Sequence, residues 1–201
     1  RLVAPSVTLI GDGKRGDIPS SSSRYATAMF EMWGFDAITV NGFAGFDSVS
    51  PFLKYVDKGV FVWCRSSNPG ANEFQDLPLA DKTVTRPLYQ HMAQQAVTWN
   101  EQGNVGLVVG ATYPDELYTI RTISKGIPIL VPGIGMQGGS LEKSIKLGID
   151  EKKYNLVLNV SRSVIYPPKS SADHCQDIRK AAITICEEIN RILGEVSREW
   201  P

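Results

Sequence analysis

Apolar residues along this chain fall into short, nearly unbroken runs separated by longer stretches with helical spacing. The runs cover 7–11, 36–41, 59–65, 104–110, 127–132 and 155–160, and Val, Ile and Leu dominate them. Continuous rather than alternating apolar character marks a strand buried on both faces. Between the runs, 21–33, 46–58, 87–101, 114–124 and 140–147 read as helices. A last helix over 172–191 closes the chain, and 181–193 is amphipathic. Pro87 and Pro114 suit the first turns of their helices, Ser140 suits an N-cap, and Gly34 suits the end of the first helix.

Repeated strand–helix units predict an α/β fold with a parallel sheet covered by helices. Two architectures compete: an open doubly wound sheet and a closed (β/α)8 barrel. A complete barrel takes about 250 residues, whereas this chain has 201. The six runs therefore fit an open sheet, or a barrel whose first two strand–helix units are absent here.

Composition narrows the function classes. The 21 basic and 21 acidic residues cancel, which argues against a broad nucleic-acid surface. No apolar run approaches the ~18–20 residues of a membrane span. The opening Arg1-Leu2-Val3-Ala4-Pro5 lacks the apolar segment of a secretory signal. Cys64, Cys175 and Cys186 have no metal-ligand spacing and read as reduced thiols of a cytoplasmic protein, with Cys64 buried in its strand. Two histidines, His91 and His174, rule out a three-histidine zinc site and read as structural or solvated. Trp33, Trp63 and Trp99 read as core or helix-packing residues.

Chemistry-bearing residues recur where strands end. They are Asp12-Gly13-Lys14-Arg15-Gly16-Asp17-Ile18, Arg65-Ser66-Ser67-Asn68-Pro69-Gly70, Gly110-Ala111-Thr112-Tyr113-Pro114, Pro132–Gly139 and Asn159-Val160-Ser161-Arg162-Ser163. Active sites of parallel α/β folds form at that face. Asp12 and Lys14, two apart on a strand, project the same way, and Asp17 follows in the loop. Carboxylates bracketing an ammonium hold it protonated, ready to deliver a proton to a carbanion. The bland alternative is an exposed salt-bridge cluster worth ~0–1 kcal/mol.

Gly133-x-Gly135-x-x-Gly138 has dinucleotide-fingerprint spacing, but it follows the fifth run rather than the first. The next run ends in Asn159-Val160-Ser161-Arg162, without the acidic residue a ribose would need. A monophosphate held by backbone N–H groups of the glycine loop and by Arg162 is the better reading.

These segments together resemble the orotidine 5'-monophosphate decarboxylase family, in its bacterial-type branch. The matching stretches are 12–18, 36–41, 66–70, 108–114, 130–139 and 159–163, in the family's order and across nearly the whole chain. The resemblance implies a (β/α)8 TIM barrel over 1–193, with strands 3–8 represented, and a tail or linker start over 194–201. It implies a homodimer that decarboxylates orotidine 5'-monophosphate to uridine 5'-monophosphate in pyrimidine biosynthesis, without metal or organic cofactor. Lys14 matches the proton donor, Asp12 the carboxylate beside it, and Asp17 the carboxylate given to the partner's site, with Ile18 and Ser21 as its neighbours. Ser67 matches the pyrimidine contact, Gln137 the bridge from pyrimidine to phosphate, and Arg162 the phosphate clamp. Pro132, Ser161 and Ser163 complete the substrate-binding set. A further Asp and Lys should come from the two upstream units. Pro19 departs from the family's usual Gly, and Ser21 from its common Thr.

Two other readings stay open. A related sugar-phosphate decarboxylase shares the Asp-x-Lys-x-x-Asp pattern but needs Mg²⁺, and a non-catalytic nucleotide-binding or assembly subunit would lack the upstream residues.

Overall fold

A computed structural model describes residues 6–80, 84–135, 137–150, 155–169 and 171–197. Its main sheet contains β1 (Ile10–Arg15), β2 (Ala37–Val40), β3 (Gly59–Arg65), β6 (Val105–Val109), β7 (Ile129–Val131) and β8 (Leu156–Leu158), every neighbouring pair parallel. The order is β1-β2-β3-β6-β7-β8, so strands add in chain order without reversal. A doubly wound sheet reverses at a switch point. The winding is therefore single, as in a TIM-type α/β fold, and excludes the doubly wound alternative; the described sheet has β1 and β8 at its two edges.

The intervening helices are α1 (Pro19–Ala26), α2 (Phe46–Leu53), α4 (Leu88–Trp99), α5 (Pro114–Ser124) and α6 (Leu141–Gly148). α1 runs on into a π-helical turn, Thr27–Met32, and Gly34 follows at φ +68°. Pro19 opens α1, where a missing N–H costs no helical hydrogen bond, so the Pro-for-Gly departure is absorbed. Pro114 opens α5, and the Ser140 hydroxyl caps α6 by accepting the Lys143 N–H. Pro87 does not enter its helix; it is the N-cap residue of α4.

Several bounds differ from the sequence pattern for physical reasons. β1 lies at Ile10–Arg15 rather than 7–11, so Asp12 and Lys14 sit inside the strand. α2 stops at Leu53, where the Asn104 amide donates to the Leu53 and Tyr55 carbonyls. A hairpin of β4 (Pro78–Ala80) and β5 (Thr85–Pro87), and two short helices, α3 (Asn72–Gln75) and α7 (Arg162–Ile165), carry no apolar periodicity to betray them. α8 (His174–Glu195) is capped by Asp173 and runs past the boundary expected at 193.

Alternate residues of each strand divide the core in two. Ile38, Val40, Val60, Val62, Leu107, Val109, Ile129 and Val131 pack outward under the helices. Ala37, Phe61, Val108 and Leu130 pack on the other face, with Ile10, Trp63 and Val157 around them. Gly106 is required there, because a Cβ would lie 2.4 Å from the Phe61 ring. Both faces are thus apolar, as the continuous runs predict. Trp33 departs from expectation: it is 62% exposed, whereas Trp99 packs on Phe46. No described helix is long and apolar enough to cross a membrane.

Cys64 is buried, and burial pushes its thiol up to about 12, despite the neighbouring Arg65 charge. Its S–H donates to the Tyr89 carbonyl. Cys175 and Cys186 are exposed on α8. In native protein a thiol reagent should label Cys175 and Cys186 and spare Cys64 until denaturant is added. Rapid labelling of Cys64 before unfolding would contradict this burial.

Candidate active site

The strand ends meet around one cavity of about 330 Å³. Asp12 and Lys14 form one wall, Ser66, Ser67 and Asn68 another, and Pro132, Gly133, Ile134 and Gln137 a third. Asn159, Ser161, Arg162 and Ser163 close it, over a floor that includes Trp63, Arg65 and Val108. Eight of the residues singled out from sequence are here: Asp12, Lys14, Ser67, Pro132, Gln137, Ser161, Arg162 and Ser163. Asp17, Ile18 and Ser21 are not among the lining residues. They lie on the loop and helix start beyond β1, where Ile18 is 65% exposed. The Asp17 carboxylate accepts the Ile18 N–H at 2.7 Å, and its backbone is held on both sides by the Ser22 hydroxyl.

Lys14 Nζ lies 2.6 Å from Asp12 Oδ1. Regular strand spacing does not produce this contact. Gly11 pairs with Ile38 and Arg15 pairs with Val40, so Asp12, Gly13 and Lys14 all face the single residue Thr39. Lys14 takes φ +43°, a left-handed conformation that non-glycine residues rarely adopt. The pairing is therefore a bulge, which re-aims side chains locally. Partial burial pushes the Asp12 carboxyl up. Hydrogen bonds from Lys14 and Thr39, with the Lys14 charge, outweigh it and leave the carboxyl below its ordinary range. The Asp12 carboxylate therefore stays ionised at neutral pH.

Across the cavity, the Ser67 hydroxyl donates to Gln137 Oε1 at 3.0 Å and links two loops distant in sequence. Thr112 donates to the Ser67 carbonyl and Tyr113 to that of Asn68. Gly110 permits this packing, since a Cβ there would meet the Ser67 backbone at 2.6 Å. The glycine loop corrects one expectation. The N–H groups of Gly135, Gly138 and Gly139 bond to carbonyls of the loop itself, so they shape the loop rather than serve an anion. The positive charge on that side of the cavity comes from Arg162, flanked by the hydroxyls of Ser161 and Ser163.

Three further residues, two lining the cavity and one behind it, take no role from the sequence pattern. Trp63, expected in the core, packs on the inner core and also lines the cavity. Arg65 is fully buried, paired with Asp76 at 2.7 Å and Glu116 at 3.4 Å, and its guanidinium carbon lies 4.1 Å from the Tyr113 ring centroid and 5.2 Å from that of Tyr89. A charged residue closing an apolar strand was the available signal. Thr39, wholly buried between apolar neighbours, gave no signal beyond its hydroxyl.

Residues 4–173 match the family model described as orotidine 5'-phosphate decarboxylase / HUMPS family. The chain is 46% identical over 198 residues to orotidine 5'-phosphate decarboxylase of Thermomicrobium roseum, covering 98% of this chain and 69% of that protein. It is 40% identical to the Leptothrix cholodnii protein of the same name, covering 98% of this chain and 72% of that one. Among solved structures, Leishmania donovani UMP synthase superposes with TM-score 0.86 at 42% identity, over 94% of this chain and 40% of that one. Leishmania donovani OMP decarboxylase gives TM-score 0.82 at 40% identity, over 94% and 70%. With its α/β TIM-type fold and its charged strand-end cavity, the chain belongs to the orotidine 5'-phosphate decarboxylase / HUMPS family.

Proposed function

We propose that this protein decarboxylates orotidine 5'-monophosphate to uridine 5'-monophosphate, the step that completes a pyrimidine nucleotide. The observation that carries the reading is one cavity holding the Asp12–Lys14 pair on one wall and Arg162 on another, bridged by the Ser67–Gln137 hydrogen bond. Its charge distribution suits a substrate with a phosphate at one end and a reacting pyrimidine carbon at the other.

In this reading the bond between C6 and the carboxylate breaks, CO₂ leaves, and the electron pair stays on C6. Lys14 Nζ gives its proton to that carbon. Asp12 holds Lys14 in place through their 2.6 Å ion pair. Arg162 takes the phosphate with Ser161 and Ser163, Ser67 meets the pyrimidine, Gln137 bridges pyrimidine and phosphate, and Pro132 shapes the wall. Binding energy gathered on the phosphate, remote from C6, then assists the chemistry.

Asp17, with Ile18 and Ser21 beside it, serves the active site of a second copy in a homodimer. Asp17 and Ile18 are exposed, Ser21 is half-buried, and none of the three lines the cavity, which supports this assignment. β1 and β8 are the sheet's two edges. Two further strand–helix units placed between them close an eight-stranded barrel over 1–193 and bring the additional Asp and Lys. The enzyme works in the cytoplasm.

The test adds orotidine 5'-monophosphate to the full-length protein and follows the loss of its ultraviolet absorbance. Absence of turnover would overturn the reading. Arg162→Ala should lower kcat/KM by roughly 10–100-fold, the worth of a charge-assisted phosphate contact. An unchanged value would remove Arg162 from the phosphate site.

A further inference from the structure

We infer that Thr39 is a positioning residue that sets the geometry of both Asp12 and Lys14, a role that rests on the reading of Lys14 as proton donor. Its hydroxyl makes two bonds at once. It accepts the Lys14 backbone N–H at 3.0 Å and donates to Asp12 Oδ1 at 2.7 Å. That same carboxylate oxygen accepts from Lys14 Nζ at 2.6 Å. One buried hydroxyl thus closes a ring through the backbone of Lys14, its side chain and Asp12.

The bulge makes this ring necessary. Three residues of β1 face one of β2, so the inserted backbone cannot keep the regular ladder. A buried N–H left without an acceptor is costly. The Thr39 hydroxyl supplies that acceptor just where Lys14 takes its left-handed φ. Thr39 is itself immobile: it has no exposed surface, and branching at Cβ restricts its rotamer. Its hydroxyl is therefore a fixed point from which both the strained backbone and the carboxylate take their places. Thr39 does not line the cavity, so it acts only through its two partners.

The experiment compares Thr39→Val, Thr39→Ala and Thr39→Ser in the full-length protein. Val keeps the shape and loses the hydroxyl, Ser keeps the hydroxyl, and Ala guards against a folding defect peculiar to Val. Val and Ala should lower kcat by roughly 10–100-fold with KM changed less than about 3-fold, while Ser stays within about 3-fold in both. A ¹³C NMR titration of the Asp12 carboxyl gives a second readout that does not depend on turnover. A hydrogen bond to the ionised form favours it, so the carboxyl should titrate at higher pH in Val and Ala than in wild type or Ser. The charges lining the cavity, Lys14 from β1, Arg65 from β3 and Arg162 from α7, are unchanged in every variant.

Wild-type kcat in Val, loss in Ser equal to that in Val, or an unmoved Asp12 titration in Val would each overturn the proposal. Should wild type itself fail to turn over the nucleotide, the functional reading falls, and the Asp12 titration alone decides the place of Thr39.

Discussion

Lys14→Ala should lower kcat on orotidine 5'-monophosphate by about 10²–10⁴-fold, the range lost with a positioned proton donor. The side chain enters the cavity from a bulge, is ion-paired to Asp12 at 2.6 Å, and is only about a third exposed at 34%. Water is a poor substitute for a fixed ammonium at that point. KM should change much less, because Ser67, Gln137 and Arg162, the residues proposed to bind pyrimidine and phosphate, lie on other walls. Lys14→Arg should fail nearly as badly. A guanidinium keeps the charge, but it holds its proton too tightly and is too broad for the bulge. Binding of the product nucleotide provides the control, since it should survive in both variants. A Lys14→Ala enzyme working within tenfold of wild type would remove Lys14 from the chemistry.

Arg121→Ala should cost about 3–5 kcal/mol of stability, as expected for stripping a buried charged donor from several acceptors. Arg121 is 7% exposed, and its guanidinium donates to three carbonyls, of Gly148, Ile127 and Asn155. These lie at the end of α6 and just before β7 and β8, so one side chain ties three segments at the base of the sheet. Burial lowers its pKa to about 10 against the opposing pull of Asp150, so it remains charged at neutral pH. The expected fall in Tm is roughly 6–20 °C for a chain of this size. Lysine should not rescue it, because one ammonium cannot span three carbonyls held by a planar fork. Urea unfolding measures the loss, and a change below 1 kcal/mol would show that water replaces the guanidinium. Activity of the molecules that remain folded should be little altered, since Arg121 does not line the cavity.

The two residues differ in how legible they were. Lys14 stood in a charged motif at the end of an apolar run, and its type and spacing announced chemistry. Arg121 sat on α5 as one more basic residue of an ordinary helix. Nothing local says that the ends of α6, β7 and β8 converge on it. Arg65 lies between these cases: a charge closing a buried strand is conspicuous, but its two tyrosines and two carboxylates come from distant segments.

The apolar runs by themselves determined that this is a strand–helix repeat with a sheet buried on both faces. Run length and branching carry that information locally, and β3 and α5 fall on their expected bounds. Family membership was equally local, because six short motifs survive in order along the chain. The strand order, and with it the choice of a singly wound sheet, was decided only by tertiary pairing. The approach of Lys14 to Asp12 was decided there too. Spacing of two on a strand suggested the contact, but the bulge opposite Thr39 and the left-handed Lys14 backbone produce it. A bulge arises from the mismatch between two strands, and one strand's sequence does not contain its partner's register.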